Sequence, residues 1–100
     1  MRSLKTRSIR KVDKAVNITH KLVDSIPSTL EEAVIYIVDS NFATHNCLCG
    51  CMRKIVMPLC NMGWTLMEKN GQISFIPSVL NLQLKCRSHY TISNSVATFI

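Results

Sequence analysis

The sequence predicts a small, mainly β domain: zinc-ribbon-like and antiparallel, with one short helical turn and a basic N-terminal arm. Three observations predict it. Short β-branched or alternating apolar segments recur at spacings of about ten residues, as in small all-β domains. Turn-forming residues separate several of them. And a 100-residue chain with 47% apolar and 18% charged residues folds as one domain whose core is limited, so a metal staple suits it.

Residues 1–15 read as the basic arm and 16–100 as a single metal-binding β domain. Val16 to Leu22 alternates apolar and polar residues, the pattern of a half-buried strand, with His20 on the polar side. Ile26-Pro27 stops it. Ser28 lies three residues before Glu31, the spacing of a capping box, and predicts a short helical turn. Ala33 to Val38 is apolar throughout and rich in β-branched residues, so it predicts a strand buried on both faces. Asp39 to His45 reads as a polar loop. Arg53 to Met57 reads as a strand ended by Pro58, and Trp64 to Glu68 as another. Asn70-Gly71 marks a hairpin, because both positions of a type I′ turn need positive φ. Gln72 to Ile76 returns, Pro77 to Asn81 bends, and Leu82 to Cys86 alternates as a further strand. Two final strands, Tyr90 to Ile92 and Val96 to Ile100, flank the turn Ser93-Asn94-Ser95.

The net charge is +6, and it is unevenly spread. Residues 1–21 hold seven basic side chains and one acid, whereas residues 22–100 hold five of each. A nucleic-acid-binding ribbon would carry a basic face on the fold itself, so the neutral core argues against that class. The arm reads either as a solvated tail or as a weak electrostatic attractant for an acidic partner. No apolar run has the length of a signal peptide or a membrane span. The five cysteines therefore predict reduced thiols in the cytoplasm rather than a disulfide framework.

Three of those thiols fall within five residues, in His45-Asn46-Cys47-Leu48-Cys49-Gly50-Cys51. Gly50 permits the tight turn that lets sulfurs converge. Such a turn supplies half of a tetrahedral zinc site, and Cys86-Arg87-Ser88-His89 offers a thiolate and an imidazole for the other half. Cys47, Cys49 and Cys86 lead the ligand set, with Cys51 or His89 to complete it. A redox dithiol would want the C-x-x-C spacing. Cys60 stands apart and reads as a small buried hydrophobe. For catalysis, His45 and His89 are the candidate bases and Ser78 the candidate nucleophile. Ser88 adjoins His89, and neighbours on a strand point to opposite faces, so an extended segment excludes that pair as a catalytic couple. Zinc-assisted hydrolysis is a further route.

In order, Leu30-Glu31-Glu32, Val34-Ile35-Tyr36-Ile37, the HxCxCGC run to Cys51, Met57-Pro58-Leu59, Trp64-Thr65-Leu66, Ile73 through Ser78 and Cys86-Arg87-Ser88-His89-Tyr90 resemble a small bacterial family. That family is catalogued as a domain of unknown function and is encoded beside ubiquitin-like, E1-like and E2-like proteins. The resemblance covers about residues 22–100. It implies a Cys/His metal-binding β domain and a peptidase-like role in processing or removing a ubiquitin-like modifier, whose carrier or conjugation enzymes would be its partners. The matching polar positions are His45, Ser78, Ser88 and His89. The chain departs from the family at Leu80 and Met52, where relatives tend to carry glycine. The alternative function is a non-catalytic, zinc-stabilised protein-interaction module.

Overall fold

The computed structural model describes residues 15–100; the basic arm expected at 1–15 falls outside the described residues except for Ala15. Nine strands follow in chain order: β1 (Ala15–Asn17), β2 (Thr19–Val23), β3 (Val34–Val38), β4 (Phe42–Asn46), β5 (Lys54–Pro58), β6 (Thr65–Lys69), β7 (Gln72–Leu80), β8 (His89–Ser93) and β9 (Val96–Phe99). Among the described residues there is no helix, so none is long and apolar enough to cross a membrane. The mainly β class holds. The helical turn expected at 28–32 is instead a pair of bends and the start of a turn: the capping-box residues are present, but no apolar helical stripe follows them to be buried.

The strands form two sheets, one of five in the order β1-β9-β8-β7-β6 and one of four in the order β2-β3-β4-β5. The five-stranded sheet is antiparallel throughout. In the other, β2 runs parallel to β3 while β3, β4 and β5 are antiparallel. The inner faces share one core, with Ile35, Ile37, Met57 and Ile55 from the four-stranded sheet meeting Phe75, Val79, Tyr90 and Ile92 from the five-stranded one.

The strand read across 16–22 divides at Ile18. β1 joins β9 and β2 joins β3, while Ile18 itself is buried between the two sheets' elements and its N–H donates to Ser95 O at 3.0 Å. One short segment thus stitches both sheets.

β3 is buried on both faces, as its composition predicts. A parallel pairing needs a crossover connection, and the 24–33 segment between β2 and β3 lies against the outer face of that sheet. The Glu31 N–H donates to the Tyr36 hydroxyl at 3.0 Å and Asn46 Nδ2 donates to Leu30 O at 3.0 Å.

The segment read as a polar loop, 39–45, is a hairpin. Asp39 and Ser40 sit at φ 48° and 57°, and β4 follows. Its polar side chains are buried with partners: Thr44 Oγ1 donates to Ile55 O at 2.7 Å, and Asn46 reaches the crossover. The alternating run Leu82 to Cys86 is not a strand but consecutive turns, with the Leu84 N–H on Asn81 O at 3.2 Å and the Arg87 N–H on Leu84 O at 3.1 Å. Nor does the chain leave the sheet at Pro77. β7 continues to Leu80, with a register shift between Phe75 and Val79 against β8; proline is tolerated at such an irregularity because it has no N–H to place in the ladder. Asn70-Gly71 forms the expected hairpin, at φ 55° and 78°.

Candidate functional site

Two constellations lie at the end of the molecule where β4 leaves one sheet and β8 enters the other. The first is a cluster of four thiols. Cys47, Cys49 and Cys51 follow β4 in a turn closed by the Gly50 N–H on Cys47 O at 3.2 Å. Gly50 has φ 101°, a backbone state that L side chains rarely adopt. Met52, just beyond the cluster, also has positive φ, 65°. The fourth thiol, Cys86, comes from the β7–β8 loop. The four sulfurs all lie within 4.8 Å of one another. Cys47 Sγ is 3.5 Å from Cys49 Sγ and 3.8 Å from Cys86 Sγ, and Cys51 Sγ is 3.7 Å from Cys86 Sγ.

A zinc ion with bonds of about 2.3 Å to four tetrahedral sulfurs separates them by about 3.8 Å. The residues present therefore fit a metal ion of thiophilic character. Such an ion would join the two sheets, since three ligands follow β4 and one precedes β8.

Polar neighbours support these sulfurs from within. The Ser88 hydroxyl lies 3.1 Å from Cys47 Sγ and 3.4 Å from Cys86 Sγ, and Asn81 Nδ2 donates to Ser88 Oγ at 2.9 Å and reaches Cys47 Sγ at 3.8 Å. Burial pushes the Cys49 thiol up to about 12 and raises Cys47 as well. Burial also works to raise Cys86, but hydrogen bonds from the Ser88 side chain and backbone, with others from Cys49 and Cys51, outweigh it and bring this thiol down to about 7. Cys60 lies outside the cluster and is exposed, contrary to its reading as a buried hydrophobe: it follows β5 in the surface turns at 60–63.

The second constellation is Ser78 and His89. His89 opens β8 opposite Leu80. Ser78 is two residues before Leu80, so strand alternation puts it on the same face, diagonally across from the imidazole. The side chains meet there: Ser78 Oγ is 2.8 Å from His89 Nε2. Both are half-buried. The backbone is held on either side, with the Trp64 indole N–H on Ser78 O at 3.4 Å and the Ile100 N–H on His89 O at 2.9 Å. Among the described residues no carboxylate is hydrogen-bonded to His89. A hydroxyl that can pass its proton to an adjacent imidazole is the basic unit of nucleophilic acyl transfer.

The other candidates lie elsewhere. His45 is fully buried, its Nε2 2.8 Å from the Tyr90 hydroxyl, its ring edge-on to the Tyr90 ring, and its Nδ1 without a partner. Desolvation lowers its pKa to about 4, so it is a neutral core histidine that bridges the sheets. His89, offered by the sequence as ligand or base, directs Nε2 at Ser78, while the cluster within metal-binding distance consists of the four cysteines. Ser88 faces the thiols. Asn81 was not marked by the sequence, because a single asparagine after a strand carries no spacing signal. Tyr90 and Trp64 likewise read only as strand aromatics.

No curated protein and no solved structure matches the chain. Residues 22–100 match the family model described as the bacterial ubiquitination-like system serine protease, BubE. That span holds the thiol cluster, the Ser78–His89 pair and eight of the nine strands in whole or in part, and the chain belongs to the BubE family.

Proposed function

We propose that the protein is a serine peptidase that processes or removes a ubiquitin-like modifier, with Ser78 as nucleophile and His89 as its base. The observation that carries this reading is the 2.8 Å approach of Ser78 Oγ to His89 Nε2 on a half-exposed sheet face. In the reaction, Nε2 takes the hydroxyl proton as Oγ attacks the scissile carbonyl carbon. The tetrahedral species collapses as the C–N bond breaks, and the proton passes from Nε2 to the departing amine. Water then attacks the Ser78 ester, giving its proton to Nε2, and the carboxylic acid leaves as Oγ is reprotonated. Many such sites use a third, carboxylate member to orient the ring. Here the ladder pairing of His89 with Leu80 and the hydrogen bond from Ile100 fix the residue's backbone instead.

In the same proposal Cys47, Cys49, Cys51 and Cys86 hold Zn²⁺. A closed four-thiolate site leaves no open position for water, so the ion supplies structural charge balance rather than a nucleophile. Its partners are a ubiquitin-like protein and the enzymes that conjugate it, in the reducing cytoplasm.

The test is direct. A fluorophosphonate probe should label the wild-type protein and leave Ser78→Ala unlabelled, and a ubiquitin-like fusion should be cut by the former alone. Labelling that persists in Ser78→Ala overturns the nucleophile assignment.

A further inference from the structure

The outer face of the five-stranded sheet surrounds the Ser78–His89 pair with an unusual surface. On β7, Ser78 and Leu80 share the outer side, and Ile76, across the register shift, pairs with Thr65 of β6; the two aliphatic side chains, Ile76 and Leu80, are 56% and 47% exposed. Leu80 stands two residues from the nucleophile, about 7 Å along the strand, and Ile76 two residues before it, across the register shift. Beside them, Met67 of β6 pairs with Ser74 on the same face and is 43% exposed. The register adds neutral Thr91 from β8, which pairs with Thr98 of β9. Apart from His89 itself, Lys69 at the far end of β6 is the charged strand residue that the register puts on this face among the described residues. Apolar side chains left exposed around a nucleophile mark a contact surface; the basic side chains nearby, Lys85 and Arg87, are exposed in the loop before His89 rather than on the strands, so a charged residue laid against Ile76 and Leu80 would lose water without a partner there.

We propose that this face is the substrate-binding surface and that it selects an extended polypeptide segment with uncharged, apolar side chains on both sides of the scissile bond. Ile76 contacts the substrate on one side of Ser78 and Leu80 on the other. The inference rests on the Ser78–His89 reading and adds the substrate's chemical class. It also gives a role to exposed Leu80, which pairs with His89: the side chain enlarges the apolar contact on the His89 side.

The experiment compares two fluorogenic peptides of equal length, one with leucine and one with aspartate at the positions flanking the scissile bond. The wild type should cleave the leucine peptide with kcat/KM higher by about tenfold or more, the scale on which a pocket discriminates by apolar contact. Ile76→Lys and Leu80→Lys should each narrow or reverse that ratio. Val56→Lys, which alters a side chain 53% exposed on the other sheet, should leave it unchanged. Equal cleavage of both peptides by the wild type, cleavage of neither by a protein that the fluorophosphonate labels, or an unaltered ratio in both lysine variants overturns the proposal and leaves the nucleophile standing. Failure of the fluorophosphonate to label the wild type, or labelling of Ser78→Ala, overturns the nucleophile reading itself.

Discussion

The thiol cluster and the Ser78–His89 pair approach within three residues of one another in sequence, Cys86 to His89, yet they are assembled in opposite ways. The cluster is built from turns. Three sulfurs follow one sheet and one precedes the other, and nothing in the ladders fixes their separation. The pair is built from a ladder: β7 and β8 belong to the same sheet, and the register of Leu80 opposite His89 places the diagonal residue Ser78 within reach. Turns without many backbone bonds need a ligand to hold them, whereas adjacent strands hold their own side chains. The four-cysteine end should therefore depend on metal occupancy, and the Ser78–His89 pair should depend on it only through the loop that delivers His89.

Removing the metal is the strongest way to break that contrast. Chelation, or Cys47→Ser combined with Cys86→Ser, should cost a large fraction of the about 5–15 kcal/mol that stabilises a domain. Thermal melts and elemental analysis follow it. Metal content should fall to zero in the double variant, the melting transition should drop sharply, and fluorophosphonate labelling should decline with the loss of the loop. A melting temperature unchanged by chelation would show that the two sheets need no staple.

The second largest effect separates the roles of His89. His89→Ala should reduce cleavage on the order of 10³-fold or more, while the protein keeps its full metal content and, reloaded with Co²⁺, the charge-transfer bands of a four-thiolate site. Loss of one metal equivalent in this variant would make His89 a ligand. Ser78→Ala should be as inactive and should unfold within about 0.5 kcal/mol of the wild type, since a half-buried hydroxyl on an outer face carries little stability.

The two sites also differed in how far the sequence revealed them. Three thiols within five residues, with a glycine between the last two, need no knowledge of the fold to be recognised. Ser78 and His89 were nameable as residue types, but their partnership depended on β7 running past Pro77. A proline read as a bend conceals that, because the irregularity that accommodates it forms only when β8 is beside it. The run Leu82 to Cys86 alternates like a strand, yet both its ends are tied elsewhere, by Asn81 to Ser88 and by Cys86 to the other thiols. Those ties favour turns over extension. β4 was hidden by its polar composition. Thr44, His45 and Asn46 look like loop residues until each finds a buried partner in β5, β8 or the crossover. By contrast β3, with Val34 to Val38 apolar throughout, was legible because full burial leaves no polar face to interpret.

A smaller effect tests the bridge that His45 and Tyr90 make between the sheets. Tyr90→Phe removes the partner of His45 Nε2, leaving an imidazole that already lacks a partner at Nδ1. The expected loss is about 1–3 kcal/mol, the cost of a buried polar group left unsatisfied, read from denaturant midpoints with an unchanged m-value. The Tyr90 hydroxyl also lies within electrostatic reach of Cys47 and Cys49 and hydrogen-bonds to Asn81, so metal content retained in this variant would separate the bridge from the cluster, and metal lost would join them.

The finest distinction lies at Ser88, which stands directly before His89. Adjacent residues of an extended chain point in opposite directions, and here the Ser88 hydroxyl turns inward to Cys47 and Cys86 while the His89 ring turns outward to Ser78. Ser88→Ala therefore perturbs the cluster without touching the outer face. It removes the acceptor of Asn81 Nδ2 and a hydrogen bond to the thiols, at an expected cost of about 1 kcal/mol. In the Co²⁺ form the thiolate charge-transfer bands should move, because a sulfur that loses a hydrogen bond becomes a stronger donor to the metal. The pH profile of cleavage and the KM should stay as in the wild type. If cleavage falls in parallel with the spectral change, the cluster reaches through the strand to the imidazole, and the two ends of the 86–89 segment act as one device rather than as neighbours facing apart.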